Sequence, residues 1–162
     1  MLKLIFTLIF FLYSISMMSQ WKTDSGDNKF DGQYKSCYVI GKGGSFPFNK
    51  PTLVISRFGE RSPNIYLTNI GYTGCSRNTV RVVFNDDESV LICDNPAPDL
   101  NKDSLFIRYF DNTSTVDFIE MLMNKKSVYI RVVNSCGKSD YEFSLKGSSK
   151  AISFALGDYL SD

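Results

Sequence analysis

The chain of 162 residues carries 18 basic and 17 acidic side chains and no histidine. Such a balance gives nucleic acid or an anionic membrane no general electrostatic hold, and no basic run exceeds two residues. The missing imidazole removes the usual base of a serine or cysteine nucleophile and the commonest zinc ligand.

In chain order, the first feature is the segment MLKLIFTLIFFLYSISMMSQ. Lys3 precedes an apolar run from Leu4 to Tyr13 broken only by Thr7, and small residues follow at Ser14, Ser16 and Ser19. This layout predicts a secretory signal peptide over residues 1–20, its apolar part too short to span a bilayer. Cleavage after Ser16 fits the small-x-small rule best, and cleavage beside Ser19 or Gln20 would bring Trp21 near the mature start. Only Lys3 is lost with the leader, so the mature chain has equal numbers of acidic and basic groups. The expected location is periplasmic or extracellular, with no transmembrane helix in the mature chain.

Short β segments follow. Tyr34 to Ile40 reads as a strand closed by the loop Gly41-Lys42-Gly43-Gly44-Ser45, and Thr52 to Phe58 as another between Pro51 and Gly59. Asn64 to Tyr72 alternates Ile65 and Leu67 against Tyr66 and Thr68. Thr79 to Phe84 and Ser89 to Cys93 flank the polar tip Asn85-Asp86-Asp87-Glu88, a hairpin by composition and spacing. Leu105 to Phe110, Ser127 to Val133 and Tyr141 to Leu145 are β-branched or aromatic in the same manner.

Two stretches switch to helical period. Ser114 to Asn124 opens on a Ser114 cap with Asp117 three residues on, and places Val116, Ile119 and Met123 on one face. Ser148 to Tyr159 aligns Ile152, Ala155, Leu156 and Tyr159, with Ser148 or Ser149 as cap. Eight strand candidates and two helices predict a mainly β fold. The architecture expected is an antiparallel β-sandwich over residues 21–162, a single domain with two short helices, one of them C-terminal.

Cys37, Cys75, Cys93 and Cys136 are widely spaced, without a C-x-x-C pair, and in an oxidising compartment they predict two disulfides. Three pairings are open. Cys75–Cys93 with Cys37–Cys136 is preferred, because the Thr79–Cys93 hairpin returns one end to the other. No metal site or cofactor is expected.

Among motifs, the glycine-rich loop after the first strand lacks the helix and Lys-Ser/Thr pair of a phosphate loop, since Phe46-Pro47-Phe48 follows. The tip at residues 85–88 lacks the alternating ligands of a calcium loop and reads as a solvated turn. A carboxylate pair for hydrolysis, Asp86 with Asp99 or Asp103, is conceivable, but nothing in the spacing selects it. Asn112-Thr113-Ser114 is an N-glycosylation sequon for a eukaryotic secretory route. Two loops suit binding: the glycine-rich one, with Phe46 and Phe48 as candidate aromatic anchors, and Cys93 to Asp103, CDNPAPDLNKD.

The order of parts resembles bacterial periplasmic proteins of the invasion-associated locus B and type VI secretion accessory (VasI-like) groups. The shared features are the leader, Trp21 and Ser36-Cys37-Tyr38-Val39, then Pro51-Thr52-Leu53-Val54-Ile55 and Thr79-Val80-Arg81-Val82-Val83-Phe84-Asn85-Asp86. The ending is similar too: Tyr129-Ile130-Arg131-Val132, then Tyr141-Glu142-Phe143-Ser144-Leu145-Lys146-Gly147-Ser148 before an Ala/Leu helix. The cysteine positions depart from that pattern, and a cysteine close to the C-terminus is lacking. The resemblance implies a β-sandwich acting as an accessory or binding protein. The function expected is therefore an exported, non-catalytic binding module whose partner is another protein or a glycan. The alternatives are a carboxylate-dependent glycan-acting hydrolase and a secreted inhibitor or immunity-type protein.

Overall fold

A computed structural model describes residues 21–29, 32–45, 47, 50–85, 87, 89–108, 110–111 and 113–160. The predicted leader, Phe46, Phe48, Asp86 and the sequon residue Asn112 lie outside these. The strands, in chain order, are β1 (Lys22–Asn28), β2 (Gly32–Ile40), β3 (Lys42–Gly43), β4 (Thr52–Phe58), β5 (Asn64–Thr68) and β6 (Thr79–Phe84). They continue with β7 (Leu91–Asp94), β8 (Ala97–Pro98), β9 (Ser104–Ile107), β10 (Ser127–Asn134) and β11 (Gly137–Ser144). Helix α1 (Thr115–Asn124) precedes β10, and α2 (Ser148–Leu156) follows β11, leading into a 3-10 turn at Gly157–Leu160.

These strands form two antiparallel sheets, a six-stranded one in the order β1-β2-β4-β5-β9-β8 and a five-stranded one in the order β3-β11-β10-β6-β7. The fold is mainly β, as expected. Alternation sends Val39, Leu53, Ile55, Ile65 and Leu67 inward from the first sheet, and Val80, Val82, Phe84, Val128, Ile130 and Phe143 inward from the second. All are at most 2% exposed and belong to one apolar cluster. Burying each such side chain contributes roughly 1.5–3 kcal/mol, which makes this cluster the main source of stability.

Both helices complete the core. In α1, Phe118, Ile119 and Leu122 are fully buried, and Phe118 meets Phe110 with ring centroids 4.4 Å apart. Its start is the anticipated capping box: the Asp117 amide donates to Ser114 Oγ, and the Ser114 amide donates to the Asp117 carboxylate. Helix α2 packs on β2 and β4 through Ile152, Ala155 and Leu156. Its cap is not a serine. Gly147, with φ of +87°, turns the chain into the helix, so Ser148 is already inside it and its buried hydroxyl finds no partner among the described residues. At the other end of α2, Arg57 Nη1 donates to the Leu156 carbonyl at 2.7 Å and lies over the Tyr159 ring.

The cysteine pairing differs from the preferred one. Cys75 is bonded to Cys136, while Cys37 and Cys93 are buried thiols outside any disulfide. One bond forms in place of the expected two, and it lies on the β10 side of β6, not on the β7 side that the hairpin favours. That strand lies between β7 and β10, with Thr79 opposite both Asp94 and Val133. Cys93 faces Val80 from within β7 and points into the core, whereas Cys136 sits in the β10–β11 turn beside the segment preceding β6.

Candidate binding site at the loop end

The disulfide marks the end of the sandwich where the loops converge. Asn134 pairs with Gly137 across a two-residue turn, Ser135-Cys136, and Gly137 takes φ of +144°, where a side chain is strained. Asn134 Oδ1 accepts from the Cys136 amide, and Asn134 Nδ2 donates to Asn78 Oδ1. Asn78 is buried and donates from Nδ2 to the Thr73 carbonyl at 3.0 Å. The Thr73 amide in turn donates to the Lys102 carbonyl at 2.7 Å, and the Asn95 amide to the Asn78 carbonyl. Three loops (residues 69–78, 94–103 and the β10–β11 turn) are thereby fastened to one another by backbone groups that would otherwise be unsatisfied.

Tyr141 supplies the link between sheets, its hydroxyl donating to the Ile70 carbonyl at 3.0 Å. Desolvation holds its pKa above the ordinary phenol value, which keeps that donor protonated. Next to it opens a cavity of about 360 Å³. Gly44, Ser45 and Pro47 of the glycine-rich loop line one side, Gly71, Tyr72 and Thr73 another, and Lys138 and Ser139 the third, with the disulfide at the floor. Tyr72 is 62% exposed at the mouth, where its ring and the Lys102 stem close over Gly74, and a side chain at Gly74 would push both aside.

The lining offers hydroxyls, a carboxamide, one ammonium group and no carboxylate among the described residues. It can recognise hydrogen-bonding groups. Of the two loops proposed from sequence, the glycine-rich one lines the cavity, and the Cys93–Asp103 loop is hydrogen-bonded to the lining residue Thr73 through Lys102. Phe46 and Phe48 lie outside the described residues, although their neighbours Ser45 and Pro47 line it.

The carboxylates are used locally. Asp99 accepts from the amides of Asn101, Asp103 and Ser104, and Asp103 accepts from the Ser104 hydroxyl. Desolvation alone would raise the Asp99 pKa, yet those backbone donors hold it below the ordinary carboxylate range. At the acidic tip, Asp87 accepts from the amide and hydroxyl of Ser89, as a turn residue does. Among the described residues, no three of His, Cys, Asp and Glu gather closely enough to hold a metal ion.

The pattern from Asn64 to Tyr72 predicts one strand, and the structure places its second half in a loop at 69–75. Asn69 takes φ of 57° and Gly71 φ of 86°, which ends the strand at Thr68. The signal was the Asn-x-Gly spacing, since both residues tolerate the left-handed region. No family model, curated protein or solved structure matches this chain.

Proposed function

We propose that the chain is an exported, non-catalytic binding module, acting in a periplasm or outside the cell, whose loop end grips a partner protein. The observation that supports this most is the convergence of three loops and the disulfide around the cavity at Tyr72. Binding sites belong on loops held by a rigid frame, and here the loop at 69–78 and the β10–β11 turn are joined by the disulfide and the Asn134–Asn78 hydrogen bond. A disulfide agrees with an oxidising compartment, as does the leader read from sequence. No helix among the described residues is long and apolar enough to cross a membrane. Against carboxylate hydrolysis stands Asp99, whose lowered pKa suits a turn acceptor and not a general acid.

Capture from the native host with residues 21–162 as bait, followed by mass spectrometry, tests this reading when run beside Tyr72→Ala and Lys138→Glu. The expected result is a partner held by the parent and lost from both variants at an unchanged melting temperature. A partner held equally by all three chains places the contact elsewhere and overturns the assignment.

A further inference from the structure

The outward face of the six-stranded sheet carries a second concave feature, independent of the loop end. Register places Asp24 beside Ser36, Ser36 beside Ser56, and Ser56 beside Asn64, one row of short polar side chains across four strands. By the pairing of Ile65 with Ile107, Arg108 stands at the end of the same row. The flanking rows on that face are aromatic. Tyr34 is opposite Phe58 with ring centroids 5.9 Å apart, and Tyr66 is opposite Phe106 at 5.4 Å.

Short residues between tall rings make a trench, with a volume of about 520 Å³. Four strand spacings give it a length of about 19 Å. The charged groups at its two ends are tied to the walls: Tyr34 donates to Asp24 at 3.2 Å, and the Arg108 guanidinium lies over the Phe106 ring. Between them the floor is neutral and unspent. No described residue hydrogen-bonds the side chains of Ser36, Ser56 or Asn64, although Ser56 is only 5% exposed and lines the trench. Each opens onto the trench, so a ligand there can take the place of water.

We propose that this trench binds an extended, neutral glycan chain. A sugar ring offers C–H faces to aromatic walls and hydroxyls to a floor of hydroxyls and a carboxamide, and this trench presents both along one line. One carboxylate and one guanidinium at opposite ends impose no net charge on the ligand, and each can chelate neighbouring hydroxyls. A proline-rich peptide would use the rings but leave most of the floor unpaired.

Affinity electrophoresis of residues 21–162 through gels containing hydroxyethylcellulose, xylan, mannan or pullulan tests the proposal, with poly-L-proline as the competing ligand. At least one polysaccharide should retard the parent, and Ser56→Ala and Tyr66→Ala should each weaken that binding about tenfold. Ser56→Ala removes one oxygen from a packed site, so its melting temperature should match the parent, and it carries the test even if Tyr66→Ala fails to fold. Retardation by no polysaccharide overturns the proposal, as does binding that survives Ser56→Ala. Retention by poly-L-proline alone overturns the ligand class. Binding abolished by Tyr72→Ala instead would assign the glycan to the loop end, so the two surfaces fail separately.

Discussion

Cys37 and Cys93 behave in this fold as small apolar residues. Each faces inward from a strand, 0% and 2% exposed, and desolvation pushes the Cys37 thiol up to about 12. A thiol held so far above neutrality supplies almost no thiolate, the species that attacks disulfides and alkylating agents. Iodoacetamide at neutral pH should therefore label neither cysteine in the native protein and both after denaturation, a count that mass spectrometry reads directly. Four labelled cysteines in the non-reduced, denatured chain would contradict the Cys75–Cys136 bond, and none would restore a second bridge. On the outer face of the five-stranded sheet, Arg131 and Asp140 form a two-armed ion pair, with Nη2 donating at 2.9 Å. Its side chains are about half exposed, so it adds little to stability.

The elements differ in how openly the sequence declared them. Strand β4 has the limits that Pro51 and Gly59 set, β6 ends at its polar tip, and α1 begins at its capping box, because each has a local punctuation signal beside its apolar residues. Strand β1, with the sequence KTDSGDN, shows no alternation. It is an edge strand held by backbone pairing to β2, and nothing in its side chains records that contact. The two-residue strands β3 and β8 are too short to leave any pattern. The trench was hidden for a related reason: Tyr34, Phe58, Tyr66 and Phe106 come from four separate strands, and only the register shows that they share the outward face. Helix α2 was legible by its stripe, and its Ile152 is fully buried. Ile152→Asp should destabilise the protein by about 3–5 kcal/mol, since it places a carboxylate in the fully buried face of α2. A thermal melt should move down by roughly 10 °C or more. An unchanged melting curve would mean that α2 is an exposed tail.

At the scale of the molecule, the single disulfide joins segments 61 residues apart and closes the loop end of the sandwich. In the chain-entropy view, removing it costs about 4 kcal/mol, chiefly by freeing the unfolded chain. Cys75→Ala combined with Cys136→Ala should lower the urea midpoint accordingly. The effect on the Tyr72 cavity should exceed that on the trench, which lies on the outward face of the six-stranded sheet and shares no lining residue with it. Polysaccharide retardation should therefore survive under conditions where the variant is still folded, while partner capture declines.

The position of that bond also sets a calendar for the growing chain. A polypeptide made from its N-terminus presents Cys37, then Cys75, then Cys93, and Cys136 last, after most of the strands have appeared. The rim strand β3 waits as long, because its partner β11 begins only at Gly137. Until Cys136 emerges, every sulfur–sulfur bond this protein can form within itself is an incorrect one. Where an oxidant meets the chain that early, a bond made by Cys75 to Cys37 or Cys93 must be undone by thiol exchange before the Cys75–Cys136 bond can close.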